Sequence, residues 1–535
     1  MNKKQTTIIM LLSITACILA FLVSGRYWFR LDLTKSKAYT ISQISRNLHR
    51  ELSNPVNITY YLSDKLKTVT PAPGEIEDML REYAAYSRGK ITLSVRDPVK
   101  AGLADMIDEY GLESKQIQTV AQDQASFITV FSGIVIEYLD KYEVLPWVLA
   151  TNTLEYDLTS RIRSMVTGTE RQIGIIVGDG YMQWRENYSL LNKMFESSGY
   201  TVRLLIPGEE IPDNLPALFV LGGVEDVDQW ALYRIDRYIQ LGGRVLFAVD
   251  SIYVDTFYGT LETWKKEDQG LLEMIAAYGV IVRPELALDR NSLELIYPAR
   301  LQSGGIQYRI IRYPLWIGVL GENGNPNHPV SSNFFGLDLF WSSPIELHPV
   351  PNVESVVLFT TSKEGWVMSE NFSANPEIPY MMELERNETT GVKVLGASLS
   401  GIFPSFFRGS PKPTREGSQE ELPDMPQQAS PSRIIVVGNT SFASNMIEAT
   451  QANHNLDFLM RAADWLVNDD DIIGIRGKQP QTGRLDKIAD IDRRIAAMKF
   501  AQILNVGIIP LIVITAGIIF ASQRRKRSKY SEKTL

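Results

Sequence analysis

Gln172-Ile173-Gly174-Ile175-Ile176-Val177-Gly178-Asp179-Gly180 is a continuous apolar run that ends in a glycine-rich turn. A strand with apolar side chains on both faces must be covered on both, so this run predicts an interior strand of a parallel sheet. The chain then repeats the pattern. Tyr188 to Ser198 has helical spacing and is closed by Gly199, while Val202 to Ile206 and Ala217 to Leu221 read as strands, the second ending at Gly222-Gly223. Trp230 to Leu241 is a helix closed by Gly242-Gly243, and Arg244 to Val249 is a strand ending at Asp250. Short apolar strands alternating with helices predict a doubly wound α/β sheet. Arg433 to Val437 returns to the same kind of strand, ending in Gly438-Asn439-Thr440-Ser441, and Leu456 to Val467 is a closing helix. Residues 171–285 and 433–470 are thus expected to form one Rossmann-like domain.

Outward from this core the texture changes. In residues 286–407 the helical period fades and aromatic, proline and β-branched residues dominate, which predicts a β-rich insertion. Residues 408–432 carry almost no apolar side chain and are expected to form a disordered loop. Towards the amino terminus, Val56 to Leu62 and Ile91 to Val95 read as strands, Glu75 to Ser87 as an amphipathic helix, and Leu103 to Tyr110 as a short helix. Phe127 to Phe131 and Ile134 to Tyr138, split by Ser132-Gly133, read as a hairpin. This β-α-β-α-β-β order is that of a thioredoxin-like domain over residues 26–170; with no C-x-x-C, it would be a scaffold. Leu154 to Val166 is an amphipathic helix leading out of it.

Both extremes of the chain are apolar. Residues 6–25 and 503–522 each run about 20 residues without a charge, enough for a helix to cross a roughly 30 Å hydrocarbon core. Arg524, Arg525, Lys526, Arg527, Lys529 and Lys533 follow the second run, which places the tail 523–535 in the cytoplasm by the positive-inside rule. Two spans put residues 1–5 on the same side and the body between them outside, with residues 471–502 as a helical stalk into the second span. Cys17 lies in Ile14-Thr15-Ala16-Cys17, the pattern of a lipidated bacterial leader, but the apolar run continues past it through Val23. An uncleaved helix is the preferred reading and lipidation at Cys17 the alternative. Between the two tails 46 basic residues face 61 acidic ones, a net charge of −15, which argues against nucleic acid and anionic lipid as partners of the body. Cys17 is the single cysteine, so the body holds no thiol nucleophile and no Cys-ligated metal.

A set of short motifs recurs in order along the chain: Arg30-Leu31-Asp32-Leu33-Thr34, Tyr39-Thr40-Ile41-Ser42, Pro55-Val56-Asn57-Ile58, Asp97-Pro98, Leu154-Glu155-Tyr156-Asp157-Leu158-Thr159, Gly242-Gly243-Arg244, Asn455, Trp465-Leu466 and Arg476-Gly477-Lys478. Together they resemble the GldG family, auxiliary subunits of ABC transporters named for a gliding-motility complex. The resemblance implies a glutamine-amidotransferase-like fold for the sheet domain, and an extracytoplasmic body at the cell (inner) membrane, on its periplasmic side, beside separate ATPase and permease subunits. Where members often carry Gly-Asp-Ser-Asp-Phe after the last strand, this chain has Gly438-Asn439-Thr440-Ser441-Phe442, which removes both acids.

The chain contains no G-x-x-x-x-G-K-[ST], no H-E-x-x-H and no G-x-S-x-G elbow, so no nucleotide, zincin or esterase motif is present. No cofactor and no metal is expected, and the preferred function is a non-catalytic accessory subunit. An envelope-polymer receptor using Trp316, Phe334, Phe335, Phe340 and Trp341 is one alternative, and an amidotransferase-like hydrolase is another. If a ligand binds, the candidates are Gly178, Asp179, Gly180, Gly222, Gly223, Asp250, Asn439 and Ser441, all at carboxyl ends of strands. If a permease helix is contacted where the chain leaves the bilayer, the candidates are Arg30, Asp32, Thr34, Tyr39, Thr40 and Ser42. The structural alternative for the last two is an N-cap.

Overall fold

The computed structural model describes residues 40–467, apart from 104–106, 108–109, 122–123, 152, 169–170, 179–180, 257–260, 301–305, 333, 377 and 416–419, and Thr515 beyond them. The chain divides into two compact units, Met1–Gln479 and Pro480–Leu535, and residues 40–467 belong to the first. Cys17, Arg30, Asp32, Thr34, Tyr39, the expected span 6–25, the expected stalk 471–502 and, apart from Thr515, the expected span 503–522 lie outside the described residues. Among the described residues no helix is long and apolar enough to cross a membrane.

The opening motif, Gln172–Val177, is an interior strand of a seven-stranded sheet. The order across that sheet is Val353–Thr360, Val394–Gly401, Ser432–Val437, Arg244–Ala248, Ala217–Leu221, Gln172–Val177, Thr201–Leu205. The last five strands run parallel, and numbered along the chain they stand 2-1-3-4-5 across the sheet, a doubly wound order. Alternate side chains feed two cores. Ile173, Ile175, Val177, Phe219 and Leu246 pack with Phe195, Phe458 and Leu466, whereas Ile176, Leu218, Val220 and Phe247 pack with Tyr233, Ile239 and Met274 on the other face.

The expected insertion differs in extent. Strands Val353–Thr360 and Val394–Gly401 belong to the central sheet, which they extend as an antiparallel edge. Their composition matched that of the neighbouring β-rich segment, so periodicity alone could not separate them. The remainder builds smaller sheets, among them a long ribbon of Ser292–Arg300 paired with Ile306–Leu320.

Residues 408–432, expected to be disordered, instead form a strap across the helix Gln229–Gln240, with residues 416–419 outside the description. Leu422 is buried in the same core as Tyr233. The Tyr233 hydroxyl donates to the Pro423 carbonyl at 2.9 Å, Arg234 ion-pairs Glu420, and Lys412 reaches both the Leu422 carbonyl at 2.8 Å and Asp424 at 2.7 Å. A polar composition predicts disorder only for a segment that must bury its own surface; this one borrows the surface of a helix.

The amino-terminal sheet has the order Ile91–Arg96, Val56–Leu62, Gln124–Tyr138, Ser114–Ala121, with Lys141–Leu145 also paired to Gln124–Tyr138. The expected hairpin about Ser132-Gly133 is one continuous strand. Gly133 is there for close approach, since a Cβ would lie 2.4 Å from Leu112 Cδ2 and 2.8 Å from the Pro146 carbonyl. The actual turn is at Leu139-Asp140, with Leu139 at φ 57°. Helices Ala72–Tyr86 and Leu154–Thr167 cover the sheet through Ile76, Leu80, Tyr83, Leu158 and Ile162.

His49 is buried in this domain with its ring edge-on to Tyr83 at 4.5 Å, and among the described residues neither ring nitrogen has a hydrogen-bond partner. Burial lowers its pKa from 6.5 to about 4. The unfolded chain therefore takes up this proton near pH 6.5 and the folded one only near 4, so His49 costs no stability above pH 6.5 and destabilises progressively as pH falls from 6.5 towards 4. His49→Leu is expected to reduce the loss of urea resistance between pH 7 and pH 4.5. In the strap, Leu422→Asp is expected to make residues 408–432 the first site of limited proteolysis, where the wild-type strap resists under the same conditions.

Candidate functional site at the strand ends

In a doubly wound sheet the ligand crevice opens at the carboxyl ends of the strands, where the winding direction reverses. Here that point lies between Gln172–Val177 and Ala217–Leu221, and Gly178 and Gly222-Gly223 follow these two strands. The Gly178 amide donates to the Leu221 carbonyl at 3.0 Å, and the Gly222 amide donates to the Ala248 carbonyl at 2.8 Å. A Cβ on Gly178 would lie 2.3 Å from the Gly223 nitrogen. These glycines let two turns pack against one another. Asp179 and Gly180 lie outside the described residues.

The neighbouring loops are engaged by the chain itself. Asp250 is buried, with one carboxylate oxygen paired to Lys266 and the other accepting from the Thr440 amide at 2.9 Å. Asn439 is fully buried; its Oδ1 accepts from the Phe442 amide at 2.8 Å and the Phe340 amide at 3.4 Å, and its Nδ2 donates to the Phe340 carbonyl. Asn455 repeats this pattern, accepting from the Asp338 amide at 2.8 Å and donating to the Asp338 carbonyl at 2.8 Å and the Phe442 carbonyl at 3.0 Å. The two amides thus fasten the strand Gly336–Phe340 to the loop that follows the last parallel strand. The Gly438 carbonyl accepts from the Ser343 amide at 2.7 Å and the Ser342 hydroxyl at 2.8 Å, and a Cβ on Gly438 would lie 1.9 Å from the Ser343 carbonyl oxygen. Ser441 opens a single 3₁₀ turn. The structure therefore gathers Gly178, Gly222, Gly223, Asp250, Asn439 and Ser441 at one end of the sheet, and the insertion occupies the space above Asp250 and Asn439.

Ser42 is an N-cap and not a surface contact. It is buried, its hydroxyl accepts from the Ser45 amide, and its own amide donates to Glu155 Oε1 at 2.6 Å. The Ser45 hydroxyl also donates to Glu155 at 2.7 Å and contacts Thr159 at 2.9 Å, and Thr159 reaches the Tyr83 hydroxyl at 2.9 Å. Two of the motifs that carry the family resemblance, Thr40–Ser42 and Leu154–Thr159, are thus halves of one buried network. Thr40 is half-buried beside it.

The four histidines occupy four separate settings. His328 Nδ1 accepts from the Val330 amide at 3.3 Å, so Nε2 carries the proton and donates to the buried Ser398 hydroxyl 3.1 Å away. His454 pairs with Asp338 at 3.1 Å, His49 lies in the amino-terminal core, and buried His348 Nδ1 has no hydrogen-bond partner among the described residues. Of the aromatics proposed as a polymer surface, Phe340 and Trp341 are buried, Trp316 and Phe334 are half-buried against other rings, and Phe335 alone of the five is exposed. Sequence reasoning passed over Arg161 and Glu155. Arg161 falls with Leu158, Ile162 and Met165 on the apolar stripe of its helix, and a charge on such a stripe is the signal that was available.

A family model described as an ABC-type uncharacterized transport system matches residues 170–462. The chain belongs to that family. A domain of unknown function matches residues 35–137. An uncharacterized protein from Borreliella burgdorferi is 26% identical over 540 residues, covering 98% of this chain and 99% of the relative. Among solved structures, a ThuA-like protein from Parabacteroides merdae matches with 12% identity over 56% of this chain and 90% of its own, at a TM-score of 0.26. The exo-β-1,4-mannosidase Op5Man5 from an Opitutaceae bacterium matches with 10% identity over 74% of this chain and 49% of its own, at a TM-score of 0.22. As an ABC-type transport system protein, this chain has an accessory, transport-related role, and ATPase and permease partners are implied in general terms.

Because the Gly438 and Gly178 contacts are backbone to backbone, neither can yield. Gly438→Ala and Gly178→Ala are each expected to destabilise by about 3 kcal/mol or more, read as a fall in the urea midpoint at unchanged slope.

Proposed function

We propose that this protein is a non-catalytic, membrane-anchored accessory subunit of an ABC transport system, with its body on the extracytoplasmic side and both termini in the cytoplasm. The family match over residues 170–462 carries this reading. It is supported by the apolar runs 6–25 and 503–522, the basic tail after the second, and the absence of a Walker A sequence, which leaves ATP to a separate subunit. The amino-terminal domain serves as a thioredoxin-like scaffold, a reading supported by the strand order Ile91–Arg96, Val56–Leu62, Gln124–Tyr138, Lys141–Leu145. We take the sheet domain as amidotransferase-like in descent, with its strand-end crevice given over to holding the insertion, and the system as one of gliding-motility type.

The contact with the permease combines the Arg30 to Tyr39 segment at the bilayer exit with the ribbon. On one face of that ribbon Ile296 stands opposite Ile310, and Tyr308 lies one rung further out. All three are exposed, at 65%, 66% and 72%, an apolar ladder that partner burial would remove from water.

Purification of the full chain from native membranes in mild detergent is expected to recover an ABC ATPase and a polytopic permease. Ile296→Ser with Ile310→Ser is expected to weaken that recovery by at least tenfold while leaving folding stability within about 0.5 kcal/mol, because both side chains are exposed. Isolation of the wild-type chain without either partner would overturn the assignment.

A further inference from the structure

The joint between the amino-terminal domain and the sheet holds more positive charge than it pairs. Arg161, on the helix Leu154–Thr167, is completely buried, and among the described residues its one hydrogen bond is from Nη1 to the Ser198 carbonyl at 2.9 Å. Among the described residues its Nε and Nη2 have no partner. Arg171 is buried beside it and donates to the same Ser198 carbonyl at 3.2 Å. It lies over the Tyr200 ring at 4.2 Å and reaches Asp464 at 3.5 Å, and its Nε also lacks a partner. The two guanidinium groups thus share the Ser198 carbonyl, and of the pair it is Arg171 that reaches the fully buried Asp464. Leaving a buried charge unpaired costs several kcal/mol, and arginine does not escape by losing its proton. Burial, then the neighbouring Arg171, pull the Arg161 pKa down against Asp157, Glu143 and Tyr156, whereas Tyr200, Tyr156 and Asp464 hold that of Arg171 up against burial, so Arg161 is the less compensated of the two.

A cleft of about 590 Å³ opens at this place, lined by Arg171, Gly199 and Ser164 together with Asp140, Lys141 and Glu143 of the hairpin that turns at Leu139. Gly199 both lines the cleft and lies against the charge: a Cβ there would lie 2.9 Å from Cζ, Nη1 and Nη2 of Arg161. A cavity of this size suits a small molecule.

We propose that this cleft is a binding site for a small molecule bearing an oxyanion, a carboxylate or phosphate group, which Arg171 in its lining receives and whose charge offsets that of Arg161 enclosed beside it. Glu143 also lines the cleft and acts on Arg161 electrostatically, so it competes with the incoming anion. The inference rests on the joint alone and does not depend on the transport assignment.

Thermal unfolding of the full chain in lipid nanodiscs tests it, with sodium phosphate and sodium glutamate each compared with sodium chloride at equal ionic strength. A saturable rise in Tm with phosphate, glutamate or both is expected, and which of them acts identifies the group. No saturable rise with either anion overturns the proposal. Arg161→Met is expected to keep or raise the Tm in chloride, because a poorly paired buried charge is replaced by an apolar chain, and to abolish the anion response. A Tm that falls in chloride with the anion response retained would show that Arg161 is a structural residue and also overturns it. Glu143→Gln, a change at a half-exposed position that leaves folding intact, is expected to tighten anion binding by about threefold by titration calorimetry. Weaker binding in that variant would place the anion elsewhere.

Discussion

Two buried carboxamides decide how the carboxyl end of the sheet is used. Asn439 and Asn455 each give both donor and acceptor to the main chain of the strand Gly336–Phe340, as an adjoining strand would. An unpaired peptide group in that position costs about 1–3 kcal/mol, so the insertion can lie over the strand ends only while both amides are present. Much hangs on that strand. It pairs with Ile306–Leu320, whose outer half is the exposed ribbon, and the Trp341 amide closes onto the Leu315 carbonyl at 2.9 Å. Side chains that open α/β proteins hold out to ligands are here turned into fasteners.

The parallel sheet was legible in sequence because each strand is a short apolar run stopped by glycine or aspartate, and such runs have few other solutions. The helices Ser189–Ser197 and Gln229–Gln240 carried a clear period and stand within a residue of expectation, whereas the shorter Tyr181–Asn187 and Leu271–Ala277 were not anticipated. What escaped was non-local. That Val394–Gly401 joins the main sheet depends on its register with Ser432–Val437, and no periodicity records a partner. Ser132-Gly133 resembled a turn because small residues serve turns and close approaches equally well. The strap misled for a similar reason, since its anchors are mostly on another element.

The candidate site was legible in place but not in use. Sequence located the loops Gly178, Gly222-Gly223, Asp250 and Asn439-Ser441 correctly as strand ends. It could not show that Asp250 is met by Lys266 and the Thr440 amide, or that residues 342–343 lie against Gly438, because these contacts join segments far apart in the chain. The same holds for Ser42, which joins a helix more than a hundred residues away. Motifs shared along a family are easily taken for contact surfaces, yet Thr40–Ser42 and Leu154–Thr159 serve the interior.

The Ser42–Glu155 joint also has a mechanical meaning. Chain at residue 42 is riveted to the first turn of the helix Leu154–Thr167, and the middle of that helix, through Arg161, is hooked to the Ser198 carbonyl that caps a helix on the sheet. A displacement of Ser42 is therefore shared at once with that helix. It is passed along the roughly two turns of helix between Glu155 and Arg161 and meets the sheet domain at the Ser198 carbonyl.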